Sequence, residues 1–274
     1  TKMLRRVCGL RRNGSFFFRN NNTTTNEASF TPRNAYITSI SDASSEFKFF
    51  EMRKYSLKPE HAALYWSELS EAGDIRRKLL PLLLFLNPDT GGKLNVATHL
   101  YGYKDHSERD NRRAAAMKSQ EWLNFLSKTK KCISEMESTI YVEATDLLEN
   151  CGLGGASRFS TPIDKAMGVY EMRKYKLKLG YTTVPEFLRY YGQGLPSKLQ
   201  ADPEAKLVTL LYSDVGPLNE VYEIWRHVDT SAMTRSREAA REAIEWRKSI
   251  ASIAELAHDF TNTIYKPVDI SNWK

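Results

Sequence analysis

Phe50-Glu51-Met52-Arg53-Lys54-Tyr55-Ser56-Leu57-Lys58 decides how this chain is read, because it returns 120 positions later as Tyr170-Glu171-Met172-Arg173-Lys174-Tyr175-Lys176-Leu177-Lys178. Seven of the nine positions are identical. Downstream the offset becomes 124, and the order of matches is kept: Leu94-Asn95 with Leu218-Asn219, Asp105 with Asp229, Glu121-Trp122 with Glu245-Trp246, and Thr139-Ile140-Tyr141 with Thr263-Ile264-Tyr265. Self-similarity at a fixed period is the mark of a repeated structural unit. The sequence therefore predicts one unit used twice.

Each unit opens with a strand of alternating character, 47–57 or 169–177. A helix follows, starting at Pro59-Glu60 in the first copy. In the second it starts at Thr183, where Thr183 and Glu186 have the spacing of a capping box. Two more strands come next, 82–86 with 94–103 and 207–212 with 218–227. They are separated by the turn-forming runs Pro88-Asp89-Thr90-Gly91-Gly92 and Asp214-Val215-Gly216-Pro217. One long helix is expected over 107–131 and again over 231–257, before closing strands at 139–142 and 261–266. Strand, helix, strand, strand, helix, strand is the ferredoxin-like order, which leaves helices on one sheet face only. The bare face needs cover. The expected fold is therefore α+β: two βαββαβ modules, 47–144 and 169–270, packed sheet to sheet as an intrachain dimeric α/β barrel. The glycine-bearing stretch 145–168 is the expected linker.

Charge separates the body from its leader. Residues 1–40 hold seven bases and one acid, whereas the remainder holds 33 bases and 32 acids, so the formal net charge of +7 belongs mainly to the leader. A near-neutral body lacks the footprint of a phosphate-binding surface, and no nucleic-acid partner is expected. The leader is rich in Arg, Ser, Thr and Asn, with Leu4, Val7 and Leu10 interspersed, and its composition is that of a disordered mitochondrial transit peptide. No apolar run is long enough to span a bilayer. Cys8, Cys132 and Cys151 are scattered, and the five histidines have no metal-ligand spacing. No metal, cofactor or phosphate loop is expected, and no nucleophile motif identifies a catalytic residue.

The repeated openings, the Ile224-Trp225 strand and the helix carrying Glu245-Trp246 resemble the NIPSNAP family over about residues 47–267, most clearly in the second copy. The resemblance implies a ferredoxin-like barrel, residence in mitochondria and roles in protein association, including adaptor functions, rather than a settled enzymatic activity. Two departures stand out. Ser119 and Ala243 occupy the place shortly before Glu-Trp where the family often has an acidic residue. The first copy has His99-Leu100-Tyr101 where the second has Glu223-Ile224-Trp225.

Two groups of residues are candidate sites. Glu51, Arg53 and Tyr55, with Glu171, Arg173 and Tyr175, alternate along their strands and so share a face. Lining the barrel interior, they would form a central polar cluster, either a ligand or acid–base site or charge pairs fixing the register of the two sheets. Glu223 and Trp225 are a second candidate lining, against simple aromatic packing. The charge-rich second helix of the second copy, with Arg235, Arg237, Arg241, Arg247 and Lys248, is the candidate protein-interaction surface. The expected function is non-enzymatic association in the mitochondrial matrix, as an adaptor or accessory subunit, with a second copy of the chain among the partners to consider. The alternative is a small-molecule binder or a cofactor-independent monooxygenase-like enzyme of dimeric α/β-barrel type.

Overall fold

The structure, a computed structural model, describes residues 47–160 and 167–274. The expected leader, 1–40, lies outside the described residues. The first module consists of β1 (Phe49–Leu57), α1 (Ala62–Leu79), β2 (Leu82–Thr90), β3 (Val96–Tyr103), α2 (His106–Ala116), α3 (Gln120–Thr129) and β4 (Ile133–Glu143). The stretch that follows carries two short helices, α4 (Thr145–Asn150) and α5 (Gly155–Arg158), so it is more structured than a bare linker. The second module repeats the order with β5 (Val169–Leu177), α6 (Thr183–Ala201), β6 (Lys206–Val215), β7 (Glu220–His227), α7 (Thr230–Glu242), α8 (Ile244–Leu256) and β8 (Ala257–Pro267).

Each module has the ferredoxin-like strand order, β4-β1-β3-β2 and β8-β5-β7-β6, and the two sheets are joined edge to edge. The edge strands pair antiparallel, β2 with β8 and β4 with β6, so all eight strands close into one barrel. Among the described residues no barrel strand keeps a free edge for a foreign chain to extend. This explains why Pro88 and Thr90, read as turn residues, belong to a strand: their partners Tyr265 and Ile264 lie in the other module. The seams are tight at two glycines with positive φ. A side chain at Gly91 would collide with the backbone of Asn262, and one at Gly216 would collide with Thr139.

Three apolar cores result among the described residues. The barrel interior holds Phe50, Met52, Leu84, Leu100, Tyr170, Met172, Val208 and Ile224 from both modules. A second core lies under α1 and α3, around Tyr65, Leu69, Phe85, Trp122 and Phe125. A third lies under α6 and α8, around Phe187, Tyr191, Leu210, Trp225 and Trp246. Each fully buried Leu, Phe or Met side chain contributes roughly 1.5–3 kcal/mol. The C-terminal tail crosses back to the first module, where Val268 N–H donates to Phe85 and Trp273 N–H to Leu83.

Two helix expectations are corrected. Each long second helix is two helices, because capping restarts the chain between them. The Asp105 carboxylate accepts from the Glu108 N–H at 2.7 Å to begin α2, and the Ser119 hydroxyl accepts from the Trp122 N–H at 3.3 Å to begin α3. In the second module Asp229 caps α7 in the same way, and the break falls at Ala243, whose side chain supplies no cap. The departures at Ser119 and Ala243 are thus N-cap positions. The capping box at Thr183 and Glu186 does not form: Thr182 holds the cap position, without a side-chain hydrogen bond, and Thr183 is the first helical residue.

Candidate functional site

Strand pleat decides which face each polar residue takes, and it reverses the expected one. Phe50, Met52, Tyr170 and Met172 face the barrel interior, so Glu51, Arg53, Glu171 and Arg173 face the helices. The expectation of a central Glu/Arg cluster is therefore corrected. Polar contacts that bridge the modules inside the barrel include Lys54 Nζ, which donates to Tyr222 at 2.7 Å, and Tyr141, which donates to Glu220 at 3.3 Å. Burial, with the charge of Lys174 nearby, pushes the Lys54 ammonium down to about 8.

Glu51 is completely buried between β1 and α2. It accepts from Arg109 at 2.9 and 3.1 Å, Arg113 at 3.1 Å, Arg53 at 3.3 Å and the Ser138 hydroxyl at 2.7 Å. Arg109 and Arg113 stand four residues apart on α2, so one turn aims both at the carboxylate. Burial alone would raise the Glu51 carboxyl, but the bonds from Arg109 and Ser138 outweigh it and hold it below its usual value. Glu171 has the same position in the second module. It accepts from Arg237 at 2.8 and 3.1 Å, Arg173 at 3.0 Å and Asn262 at 2.7 Å, with the His227 ring 3.3 Å away. Here too burial is overcome, by His227, Arg173 and Arg237, and the carboxyl lies well below the carboxylate range. Each cluster is confined to one module and does not pair across the sheets. Both carboxylates are ionised and saturated with donors, which suits them to tie helix to strand rather than to exchange protons.

A second polar layer lies deeper. Arg76 on α1 and Lys198 on α6 are both almost fully buried, at 3% and 2% exposure, and point at the sheet from the last turn of their helices. Lys198 Nζ lies 3.6 Å from the centre of the Trp225 ring and 4.6 Å from that of Trp246. Burial, then the charge of Arg173, push it down to about 7. Beside it Glu223 accepts from Tyr175 at 2.5 Å and Trp225 Nε1 at 2.7 Å. Glu223, Trp225 and Tyr175 are thus brought together, under the helices.

In the first module His99 replaces Glu223 at the same register, opposite Arg53 as Glu223 is opposite Arg173. Arg76 donates to the Tyr101 hydroxyl at 2.6 Å, and Tyr101 in turn meets His99 Nδ1 at 2.8 Å. The guanidinium lies 5.0–5.4 Å from the rings of Trp122, Phe85 and Phe125. Two cavities of about 440 and 240 Å³ adjoin it, sharing Tyr55, Arg76, Leu126 and Met136. In the second module a cleft of about 390 Å³ is lined by Arg173, Arg237, Arg241, Arg247, Trp246 and Phe260.

The remaining expected residues divide. Arg237 is committed to Glu171, and Lys248 is paired with Glu245 at 2.7 Å. Arg235, Arg241 and Arg247 are exposed and make no ion pair among the described residues. Sequence reading missed Arg76, Lys198, Arg109 and Arg113. The signal for the first two was a base on an apolar helical stripe: Tyr65, Leu69, Gly73, Arg76 and Phe187, Tyr191, Leu195, Lys198 share the same spacing. Among the described residues no group of His, Cys, Asp and Glu could hold a metal ion, and no helix is long and apolar enough to cross a membrane.

The NIPSNAP family model matches residues 50–147 and 170–272, one segment in each module. Protein NipSnap homolog 3A of Homo sapiens is 24% identical over 198 residues, 71% of this chain and 73% of that protein. Protein NipSnap homolog 3B of Mus musculus is 26% identical over 220 residues, 77% of this chain and 82% of that protein. Among solved structures, a Fusobacterium nucleatum protein provisionally described as a monooxygenase superposes with a TM-score of 0.56 at 10% identity, over 81% of this chain and 93% of that one. At that identity the likeness concerns the fold alone.

Proposed function

From the premise that this chain belongs to the NIPSNAP family, we propose that it works by protein association, as a non-enzymatic mitochondrial adaptor or as an accessory subunit of a matrix assembly. The observation that supports this is the outer surface of α7 and α8. Arg235, Arg241 and Arg247 are exposed without an ion pair among the described residues, while the neighbouring bases Arg237 and Lys248 are neutralised by Glu171 and Glu245. Exposed bases without counter-ions are available to an acidic partner surface, and they raise its rate of encounter. The donor-rich surroundings of Glu51 and Glu171 support the same reading, since each carboxylate is held by several arginine bonds and has no proton to offer a substrate. Mitochondrial residence is drawn from the Arg-rich, acid-poor composition of residues 1–40.

Purification of the tagged chain from intact mitochondria, beside the triple variant Arg235→Glu, Arg241→Glu and Arg247→Glu, tests the surface. The variant should lose its co-purifying proteins while its circular dichroism and melting temperature stay unchanged. An identical set of partners would remove α7 and α8 from consideration. Removal of residues 1–40 should leave the protein outside the organelle, and continued import would contradict the targeting reading.

A further inference from the structure

We propose that the cleft between the sheet of the first module and α1 and α3 binds a carboxylate carried on an apolar body, a medium-chain fatty acid in chemical class, with the Arg76 guanidinium as its receptor.

The two modules supply the comparison that carries the assignment. Each buries one cation at the end of its first helix, Arg76 or Lys198. In the second module a buried carboxylate, Glu223, lies in the same polar layer and attracts the Lys198 charge, though less strongly than Arg173 repels it. In the first module that register position holds His99, an uncharged ring, because burial and then the charges of Arg76 and Arg53 push its pKa well below the usual value. The hydrogen-bond chain from Arg76 runs to Tyr101 and then to His99, and it ends without an anion. No carboxylate pairs with Arg76 among the described residues. A buried cation without a counter-ion is costly, and contact with three aromatic faces offsets only part of that cost. Lys198 can shed its proton near neutral pH; an arginine cannot. The unmet requirement is therefore specific to the first module, and it is for a negative charge.

Donors are already waiting at this place. Arg76 Nε and the Tyr65 hydroxyl are buried and have no hydrogen-bond partner. Arg76 and Tyr65 both line the cavity of about 440 Å³, which falls within the roughly 300–1,000 Å³ typical of small-molecule sites. Phe125, Leu126, Ile133 and Met136 form apolar walls, Ser127, Thr129 and Ser134 add hydroxyls, and Lys130 and Glu135, of opposite charge, are both exposed, with Glu135 unpaired with Arg76. A guanidinium at the inner end and hydrocarbon along the walls fit a monoanion with an apolar tail. A single buried guanidinium neutralises a carboxylate but leaves a phosphate dianion with uncompensated buried charge, which the apolar walls disfavour.

Titration of the full chain with dodecanoate, dodecanol and inorganic phosphate, followed by calorimetry and by the carbon-13 carboxyl resonance of labelled dodecanoate, tests the assignment. Dodecanoate should bind with a displaced carboxyl resonance, dodecanol more weakly, and phosphate should not compete. Arg76→Leu should weaken dodecanoate by about tenfold or more and remove its preference over dodecanol. Leu126→Trp, which leaves the charge in place and fills the cavity, should weaken both ligands. Lys198→Met, in the other module, should change neither. The proposal is overturned by equal binding of dodecanol and dodecanoate to the wild type, by undiminished dodecanoate binding in Arg76→Leu or Leu126→Trp, by an equal loss in Lys198→Met, or by no dodecanoate binding at all.

Discussion

Replacing Lys198 by methionine should make this protein more stable at neutral pH, and the gain should vanish as the pH rises. In the folded chain the ammonium is desolvated among Trp225, Trp246 and Arg173, and its pKa falls from an ordinary 10.5 to about 7. That fall corresponds to about 5 kcal/mol of penalty for carrying the charge in the folded state. That figure is the net of all interactions of the charge, attraction to the two indole faces included, so a gain on the order of a few kcal/mol is expected for the variant. The sign follows from proton counting. Below about pH 7 both folded and unfolded chains hold the proton, so the wild type bears the whole penalty. Between there and 10.5 the unfolded chain binds a proton that the folded one lacks, so wild-type stability climbs by up to about 1.4 kcal/mol per pH unit. Above 10.5 neither state is charged and no penalty remains. Urea unfolding of both proteins from about pH 7 to pH 10, with the m-value checked for constancy, should show two stability curves that converge by at least about 2 kcal/mol. Parallel curves, or a variant less stable at pH 7, would refute the reasoning that Lys198 is a desolvated charge.

The carboxylate clusters give the opposite result. Glu171→Gln leaves Arg173 and Arg237 without their buried counter-ion and should cost about 3–5 kcal/mol in equilibrium unfolding. Because the Glu171 carboxyl lies below its usual range when folded, its contribution is present above the ordinary carboxylate pKa and is lost as pH falls through the folded value; the variant's acid limb should be correspondingly flatter. Ser119→Ala removes the cap of α3 and should cost about 1 kcal/mol by the same measurement, whereas Ala243→Gly, at a break with no side-chain cap, should change stability much less.

Much of this architecture was legible in residues 50–58 and 170–178. A nine-residue match with a constant downstream offset can be read without coordinates, and two one-sided sheets in a single chain imply mutual cover. Where the site lies was not legible. Period-2 alternation says that Glu51, Arg53 and Tyr55 share a face but not whether that face meets helix or barrel, because both neighbours are apolar enough to accept either register. The flanking Phe50 and Met52 were the available clue: they are as hydrophobic as any core pair, and the barrel took them. Ser119, noticed as a departure, was a cap, and reading it as one would have divided the long helix correctly.

What the sequence determined alone is therefore what depends on local pattern and composition: the repeated βαββαβ order, the need for a second sheet and the concentration of net positive charge in residues 1–40 beside a near-neutral remainder. What only tertiary structure decided is which charges are paired. The charges that surround Arg76 or Lys198 depend on residues brought alongside by β3 or β7, and the change at one register, His99 against Glu223, puts a neutral ring in one polar layer and a carboxylate in the other. Desolvation and Coulomb attraction are functions of distance in space, and no spacing along the chain reports them.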